Sequence, residues 1–462
     1  MDYVRNDYLE KRDSEEHQKN FDERIKHGQS LQQTGKFHEA IYEYSYALKE
    51  EPNSVFILMQ LALLTYDTKD FIKSLEYSNK AIEFGCDSHL IWYIKGAIHL
   101  DCNEIEEALT SLEKALIVSP DFYPAIVDMT SGLLKNSNDQ HKIQKACESS
   151  NLGLKVHLDK DLSIKVIDGK IQIPVFRLKH DLEQARYLKK IDLESATSKI
   201  LVKQVAGILG KQTHDSSGLV NLSIKEYANL KSYYQEIIKL EPIKLKNYLN
   251  PNLDWDEIEN SYLYKNNEVI FIDDFLSSYA LDWLIKFSLV SKIWLNEYKL
   301  CYLGAFANNG FMSEVHLNIA KELRIKLPNI IKDFNLEQMW GFKYDSKLGK
   351  GINVHADFAR INLNFWITPD KFNLNTNSGG MKIYTHPAPS DWNPFDYNTN
   401  FDLIYEYLKE NNSESITIPY KQNRAVLFNS ALFHETDEIK FADEYEGRRI
   451  NITYLFGKQL KF

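Results

Sequence analysis

Residues 35–54 read GKFHEAIYEYSYALKEEPNS, and the pattern of this stretch returns 34 residues later and then 34 residues later again. Four columns of residues share this period, one of them large and apolar and three of them small. The columns are Phe37, Phe71 and Ile105; Ala40, Ser74 and Ala108; Ala47, Ala81 and Ala115; and Gly28, Ala62 and Gly96. Small residues let antiparallel helices approach closely, while large ones fill the space to the next pair. The period therefore predicts stacked helical hairpins.

The end of each repeat is marked as well. Pro52 and Pro120 close the first and third units, where proline stops a helix, and Cys86 stands at the equivalent position of the second. The pattern resembles the tetratricopeptide repeat. The units are 21–54, 55–88 and 89–122, followed by a degenerate capping pair at 123–152. The resemblance implies a concave groove that often binds peptides, so a peptide or protein partner is expected there; a spacer or dimerisation arm is the alternative, and the oligomeric state is left open.

The residue pattern changes at Val269, where short alternating segments replace the helical period. VIFIDDFL, at 269–276, predicts a buried strand that leads into a helix capped by Ser277. Further alternating segments fill 340–368 and 416–456. Several short strands separated by turns predict a sandwich or jelly roll.

One His-x-Asp tripeptide lies among these segments, in VHADFARINLNFWITPD at 354–370. In a strand, residues i and i+2 point to the same side, so His355 and Asp357 can both reach one metal ion. Helical positions i and i+2 do not face together, which argues against a tripeptide in the repeats. The two other tripeptides, one in the repeats and one without an evident partner, are His99-Leu100-Asp101 and His157-Leu158-Asp159.

A second histidine and two arginines complete the constellation. His434 ends the β-rich run NRAVLFNSALFHETDEI, and Arg448 and Arg449 open the next segment, RRINITYLF. Two histidines and one carboxylate form the ligand triad of non-haem Fe(II) oxygenases. A guanidinium binds a carboxylate through a bidentate fork and stays charged when buried. The order of these residues predicts a metal site of His355, Asp357 and His434 beside a site for 2-oxoglutarate.

Residues 265–458 resemble the 2-oxoglutarate/Fe(II)-dependent oxygenase superfamily, and within it the prolyl-hydroxylase-like branch. Supporting features are VIFIDDFL at the start, Tyr344 before the His-x-Asp, Ser378-Gly379-Gly380 after it, and NRAVLF before the distal histidine. The resemblance implies Fe(II), 2-oxoglutarate as cosubstrate and molecular oxygen. It also implies that Tyr344 lies near the cosubstrate and that an arginine anchors it.

Two arguments differ on which arginine this is. In the superfamily the arginine stands two residues before a small polar residue, and Arg449 fits with Asn451 in place of serine. Strand periodicity instead puts Arg448 on one face with Ile450 and Ile452, which could be the barrel interior. Arg449 is the choice on the resemblance, with Arg448 as the alternative.

The resemblance implies hydroxylation of a C–H bond. Related halogenases carry a small residue in place of the carboxylate, so Asp357 favours hydroxylation. Repeat domains accompany peptide-modifying members, which makes a peptide or protein side chain, prolyl above others, the leading substrate. A small molecule or free amino acid, with the repeats used for assembly, is the runner-up; a non-catalytic repeat-based binding protein is the third interpretation. His386 is a rival metal ligand, but it lacks a suitably spaced arginine.

The composition limits the function classes. The chain has 462 residues, a formal net charge of -10, 44% hydrophobic and 26% charged residues, which is typical of globular proteins. The negative charge disfavours nucleic-acid binding. Four scattered cysteines without CxxC pairs, a polar N-terminus and the lack of a long apolar run predict a cytoplasmic protein with no membrane span.

The length favours more than one domain. The fold class expected is an all-α, tetratricopeptide-like repeat domain followed by a double-stranded β-helix (jelly-roll) domain with flanking helices. The expected divisions are an N-terminal extension at 1–20, the repeats at 21–152, a mixed connecting region at 153–264 and the oxygenase domain at 265–462. In the connecting region the patterns at 179–209 and 223–240 predict helices, and no chemistry is evident there.

Overall fold

The computed structural model describes residues 21–161, 166–167, 170–210, 218–238, 240–265 and 268–458. The expected extension at 1–20 lies outside the described residues. Contacts divide the chain into two compact units, Met1–Gly132 and Leu133–Phe462. The domain limits derived from the sequence stay a prediction. No helix among the described residues is long and apolar enough to cross a membrane.

Helical hairpins build the first unit. Their first helices begin at Phe21, Val55 and His89, so the 34-residue period of the sequence is the period of the structure. The helices are α1 (Phe21–Gln33), α2 (Phe37–Glu50), α3 (Val55–Asp67), α4 (Phe71–Glu83), α5 (His89–Asp101) and α6 (Ile105–Val118), with α7 (Tyr123–Lys135) crossing into the second unit. The prediction of helical repeats is confirmed.

The small residues of the period lie where helices touch. A Cβ added at Gly96 would stand 2.6 Å from the side chain of Leu112, so only glycine allows this helix pair to pack as closely. Ser74 replaces the alanine of its column without leaving an unpaired hydroxyl, because it donates a hydrogen bond of 2.8 Å to the Ala62 carbonyl. The second repeat therefore keeps its packing despite this departure.

The second unit begins with helices and a small antiparallel sheet. The predicted helical patterns at 179–209 and 223–240 are confirmed in type by three helices. The elements are α8 (Gln140–Asp159), β1 (Val166–Ile167), β2 (Lys170–Pro174), α9 (Val175–Lys190), α10 (Ala196–Leu209), β3 (Leu219–Leu222) and α11 (Ile224–Gln235). Strands β1, β2 and β3 pair in that order.

Two further antiparallel sheets make the rest of the unit β-rich. Their strands are β4 (Val269–Ile272), β5 (Asn296–Tyr298), β6 (Tyr302–Phe306), β7 (Leu336–Tyr344), β8 (Ala359–Trp366), β9 (Met381–Pro387), β10 (Ser415–Ile418), β11 (Ala425–Asn429), β12 (Leu432–Thr436) and β13 (Ile450–Lys458). The larger sheet has the strand order β4-β11-β8-β13-β7-β6-β5, and the smaller has the order β10-β9-β12. The helices are α12 (Trp255–Asn260), α13 (Ser278–Val290), α14 (Glu314–Lys326), α15 (Pro394–Asn398) and α16 (Phe401–Glu410).

A buried apolar cluster joins the two sheets face to face. The larger sheet contributes Trp366, Val426 and Phe428, and the smaller contributes Met381 and Ile383. Alternation along each strand sends these residues inward. Beside this cluster the same two inner faces carry polar residues, and there the candidate site lies.

Candidate metal centre

Three side chains converge between the two sheets. One ligand atom from each of His355, Asp357 and His434 lies within 4.8 Å of the others. The Nε2 atom of His434 is 3.5 Å from Asp357 Oδ2, and that of His355 is 4.0 Å from Asp357 Oδ1. Ligands on neighbouring positions of an ion with bonds of about 2.1 Å stand about 3 Å apart, so a small inward movement would place all three on one ion.

Backbone hydrogen bonds hold this arrangement. His355 and His434 form an isolated antiparallel bridge, in which each N–H donates to the carbonyl of the other at 3.0 and 2.8 Å. The Asp357 N–H donates to the Ser430 carbonyl at 3.0 Å. The chain segments that carry the three ligands are thus tied to one another by main-chain contacts.

The same two histidines have one ring nitrogen each turned away from the centre. Nδ1 lies 2.8 Å from the Asn353 carbonyl in His355 and 3.0 Å from the Leu432 carbonyl in His434. A carbonyl only accepts, so Nδ1 carries the proton and Nε2 keeps its lone pair toward Asp357. This is the tautomer that a metal-ligating histidine needs.

Electrostatics favours neutral imidazole beside an ionised carboxylate. Burial, with a further contribution from His434, lowers the pKa of His355 to about 4. Burial pushes the pKa of Asp357 upward, but the nearby His434 and His355 and the hydrogen bond from Asn362 outweigh it, so the pKa lies below its ordinary value. The side chains of His355, Asp357 and His434 stay 13%, 10% and 7% exposed, which leaves a narrow opening to solvent.

The sequence pattern placed the His-x-Asp motif inside a strand, but in the structure the motif precedes the strand. Strand β8 begins only at Ala359, because the Ala356 N–H bonds to the Tyr397 carbonyl and draws the chain out of the ladder. The other tripeptides lie in α-helices α5 and α8. The rival ligand His386 lies on β9, and the group of possible metal ligands found among the described residues does not include it.

Arg449 lines the same cavity as the three ligands. Its side chain is 2% exposed and donates to the carbonyls of Gly379 at 2.6 Å and Gly380 at 3.2 Å, and to Asn451 Oδ1 at 3.2 Å. Three of its five N–H groups are engaged in this way, and two remain. No carboxylate of the described residues pairs with it at salt-bridge distance, and burial lowers its pKa. Within the described part of the chain, this buried guanidinium therefore has no carboxylate in direct contact.

Tyr344 stands beside this arginine. Its ring centre is 4.9 Å from the guanidinium carbon, and its side chain is fully buried in the cavity wall. Its hydroxyl makes no hydrogen bond of good geometry within the described part of the chain, although Thr436 and Arg449 lie close to it. The cavity thus presents a cation and an unsatisfied hydroxyl close to the three ligands.

The two neighbouring arginines, between which the sequence did not decide, have different surroundings in the structure. Arg448 donates from Nε to Glu183 of α9 at 2.8 Å, and its Nη2 lies 3.2 Å from Asp345. Its guanidinium is occupied by two carboxylates outside the cavity. Arg449, which directly precedes β13, lines the cavity together with Asn451 and Thr453 of β13. Arg448, one of the predicted cosubstrate residues, is therefore not brought to the site.

Sequence reasoning missed two contributions. Asn362 of β8 donates from Nδ2 to Asp357 Oδ2 at 2.7 Å, and Trp366 and Tyr420 surround the Arg449 guanidinium together with Tyr344. The sequence pointed to Asn362 only through the alternation in INLNFW, which places the side chains of Asn362 and Asn364 on the same face of the strand.

Comparisons with known proteins support the repeats more than the site. The tetratricopeptide repeat family matches residues 90–122. No curated protein matches the sequence of this chain. Among solved structures, the non-heme alpha ketoglutarate dependent carbocyclase SnoK from nogalamycin biosynthesis is 13% identical over 46% of this chain and 87% of its own, with a TM-score of 0.33. YrrB, described as a TPR protein with an unusual peptide-binding site, is 12% identical over 44% and 93%, with a TM-score of 0.28. The chain therefore contains tetratricopeptide repeats.

Proposed function

We propose that the β-rich region is a jelly-roll, Fe(II)- and 2-oxoglutarate-dependent oxygenase that hydroxylates a C–H bond. One observation carries the proposal. A His-Asp-His group and a buried arginine without a carboxylate partner in the described residues line one cavity. Each feature alone can serve stability only, but together they provide for a metal and for an acid that binds it.

The residues fit a ferrous ion. His355, Asp357 and His434 offer two imidazole nitrogens and one carboxylate oxygen, the donor set of the non-haem Fe(II) triad. Three protein ligands leave other coordination positions for cosubstrate and oxygen. Asp357 keeps its negative charge because its pKa is lowered, and the histidines are held in the tautomer that binds metal.

The residues also fit 2-oxoglutarate. Arg449 would bind the carboxylate remote from the ion through its two remaining N–H groups, and the Tyr344 hydroxyl would donate a hydrogen bond to the same acid. The carbonyls of Gly379 and Gly380 fix the guanidinium before the acid arrives, so little side-chain entropy is lost on binding. Asn451 is a third partner of that guanidinium, besides the two glycine carbonyls, rather than a direct ligand of the acid.

Bound Fe(II) and 2-oxoglutarate supply the activation of molecular oxygen and the oxidative decarboxylation that yields succinate and carbon dioxide. The chain contributes ligand geometry, a fixed anchor and a cavity narrow enough to limit water. Phe342 and Trp340 of β7 form an apolar part of the cavity wall directly beside their strand partners on β13, the polar residues Asn451 and Thr453.

For the substrate we propose a peptide or protein side chain, prolyl before others, because the same chain carries tetratricopeptide repeats. The alternative is a small molecule or a free amino acid, with the repeats used for assembly. Proline-rich peptides, free amino acids and a metabolite extract are each incubated with the full chain. A gain of one oxygen atom in a peptide supports the first class, whereas a gain only in a free amino acid supports the second.

The function itself is tested by succinate formation from 2-oxoglutarate with Fe(II) and air. His355→Ala and Arg449→Ala should each remove turnover. Two matched controls should keep it: His99→Ala, which changes the tripeptide of α5, and Arg360→Gln, which changes a β8 arginine paired with Glu268. Equal turnover in all four variants and the wild type would show that succinate arises elsewhere, and the proposal would be wrong.

A further inference from the structure

Asn362 points into the candidate metal centre from strand β8. Its side chain is 1% exposed, lines the cavity, and donates a hydrogen bond of 2.7 Å from Nδ2 to Asp357 Oδ2. That oxygen also lies 3.5 Å from His434 Nε2. The amide therefore holds one oxygen of the carboxylate, while the other, Oδ1, lies toward His355.

The other end of the same amide has no hydrogen-bond partner among the described residues. A carboxylate oxygen only accepts, so the amide nitrogen must face Asp357 and the amide oxygen must face away from it. Asn362 Oδ1 is buried and makes no hydrogen bond with any described residue. A buried acceptor left unsatisfied is unfavourable unless a bound molecule completes it.

We infer that Asn362 is a positioning residue of the metal centre: Nδ2 fixes the Asp357 carboxylate for the ion, and Oδ1 accepts a hydrogen bond from the molecule that occupies the cavity. This inference rests on the proposed function, because it assigns Asn362 to the metal site proposed there. It adds a residue outside the ligand triad and the cosubstrate anchor. Partners that orient a metal ligand affect affinity through the geometry of that ligand.

The chain offers a closely matched control. Asn364 is the same residue type on the same strand and the same face, and it lines the same cavity. Its amide donates to the Thr453 hydroxyl at 2.9 Å instead of to Asp357. A difference between the two asparagines thus reports on the contact with Asp357 and not on the loss of a cavity amide.

The experiment is Co(II) titration of the full chain, followed by calorimetry and by the visible absorption of the bound ion. The variants are Asn362→Ala, Asn362→Leu and Asn364→Ala. Leucine keeps the branched shape of asparagine without its hydrogen-bonding atoms, so Asn362→Leu decides the question if the alanine variant does not fold. Circular dichroism and thermal unfolding without metal establish which variants are folded.

Both Asn362 variants should bind Co(II) about 10- to 100-fold more weakly than the wild type and show an altered visible spectrum. Asn364→Ala should stay within about 3-fold and keep the wild-type spectrum. If Asn362→Leu matches the wild type in affinity and spectrum while His355→Ala loses binding, the inference on Asn362 is wrong and the metal site stands. If the wild type does not bind Co(II), the proposed function fails and the inference fails with it.

Discussion

Gly380→Ala is the substitution whose effect the structure defines most sharply. A Cβ at Gly380 would lie 1.9 Å from the Ile418 carbonyl oxygen and 2.8 Å from Pro419 backbone, atoms that no side-chain rotation can move. To reach even about 3 Å, the closest approach that real Cβ atoms show, the turn before β9 and the end of β10 must separate by roughly 1 Å. Overpacking of this kind costs about 1–3 kcal/mol.

The same displacement would disturb Arg449. The carbonyls of Gly379 and Gly380 are two of its three hydrogen-bond acceptors, and a hydrogen bond to a charged group contributes about 1.5–3 kcal/mol. If the overpacking also weakens one of these hydrogen bonds to Arg449, the two costs together lower the free energy of unfolding of the second unit by about 3 kcal/mol. Affinity for 2-oxoglutarate should fall with it, because the anchor is no longer fixed.

Urea unfolding followed by tryptophan fluorescence measures the first effect, and calorimetric titration of 2-oxoglutarate into the metal-loaded protein measures the second. Gly207→Ala is the control. It lies in α10 with no atom within 4 Å of the added Cβ, so it should be neutral or stabilise by up to about 1 kcal/mol. A Gly380→Ala protein as stable as the wild type, with unchanged affinity, would refute the account of this turn.

Three further predictions concern stability. The pKa of Asp273 is lowered, first by its hydrogen bond with Arg424. The contribution of this carboxylate to folding stability is therefore present above the unfolded pKa of about 4 and is lost as the pH falls below it. The melting temperature of Asp273→Asn should decline less between pH 5 and pH 3 than that of the wild type, and parallel curves would contradict this. Glu183→Gln removes one of the two carboxylates that contact the buried Arg448. It should lower the free energy of chemical unfolding by about 2 kcal/mol, less than the ~3–5 kcal/mol for a wholly broken pair. A loss below about 0.5 kcal/mol would mean that the remaining carboxylate suffices. Gly96→Ala should lower the melting temperature of the repeats by overpacking worth about 1–3 kcal/mol, partly offset by helix propensity, whereas a rise would show that the paired helices separate without cost.

The repeats could be predicted from the sequence because their signal is local and repeated. Each small residue of the period packs against a helix a few residues away in the chain, so spacing alone contains the contact. Helices begin at Phe21, Val55, His89 and Tyr123, which are the predicted starts of the four pairs. The profile match at 90–122 falls on the third unit.

The three candidate metal ligands were also predicted as a set, but how they come together depends on the fold. His355 and Asp357 are close in the sequence, whereas His434 reaches them only because the chain returns as an antiparallel bridge to His355. The order of motifs identified the three residues. It did not show that the tripeptide precedes its strand, since the contact with Tyr397 that ends the ladder is tertiary.

The choice between the two arginines shows where periodicity gives no answer. Both faces of β13 are buried from Ile450 to Gly457, so alternation cannot tell which face is the cavity side. The two arginines are distinguished by tertiary contacts: Arg448 pairs with the carboxylates of Glu183 and Asp345, which are distant from it in the sequence, whereas Arg449 lines the cavity. Asn362 escaped prediction for a similar reason, because a polar residue in a buried strand indicates a partner without identifying it.

The most direct test of the central claim is anaerobic absorption spectroscopy of the full chain with Fe(II) and 2-oxoglutarate. A 2-oxo acid chelated to Fe(II) gives a visible charge-transfer band, and this readout needs no substrate. We expect the band in the wild type, its absence in His355→Ala and His434→Ala, and a higher 2-oxoglutarate requirement in Arg449→Gln. No band in the folded wild type at saturating Fe(II) and 2-oxoglutarate would contradict the claim that these residues form an oxygenase site.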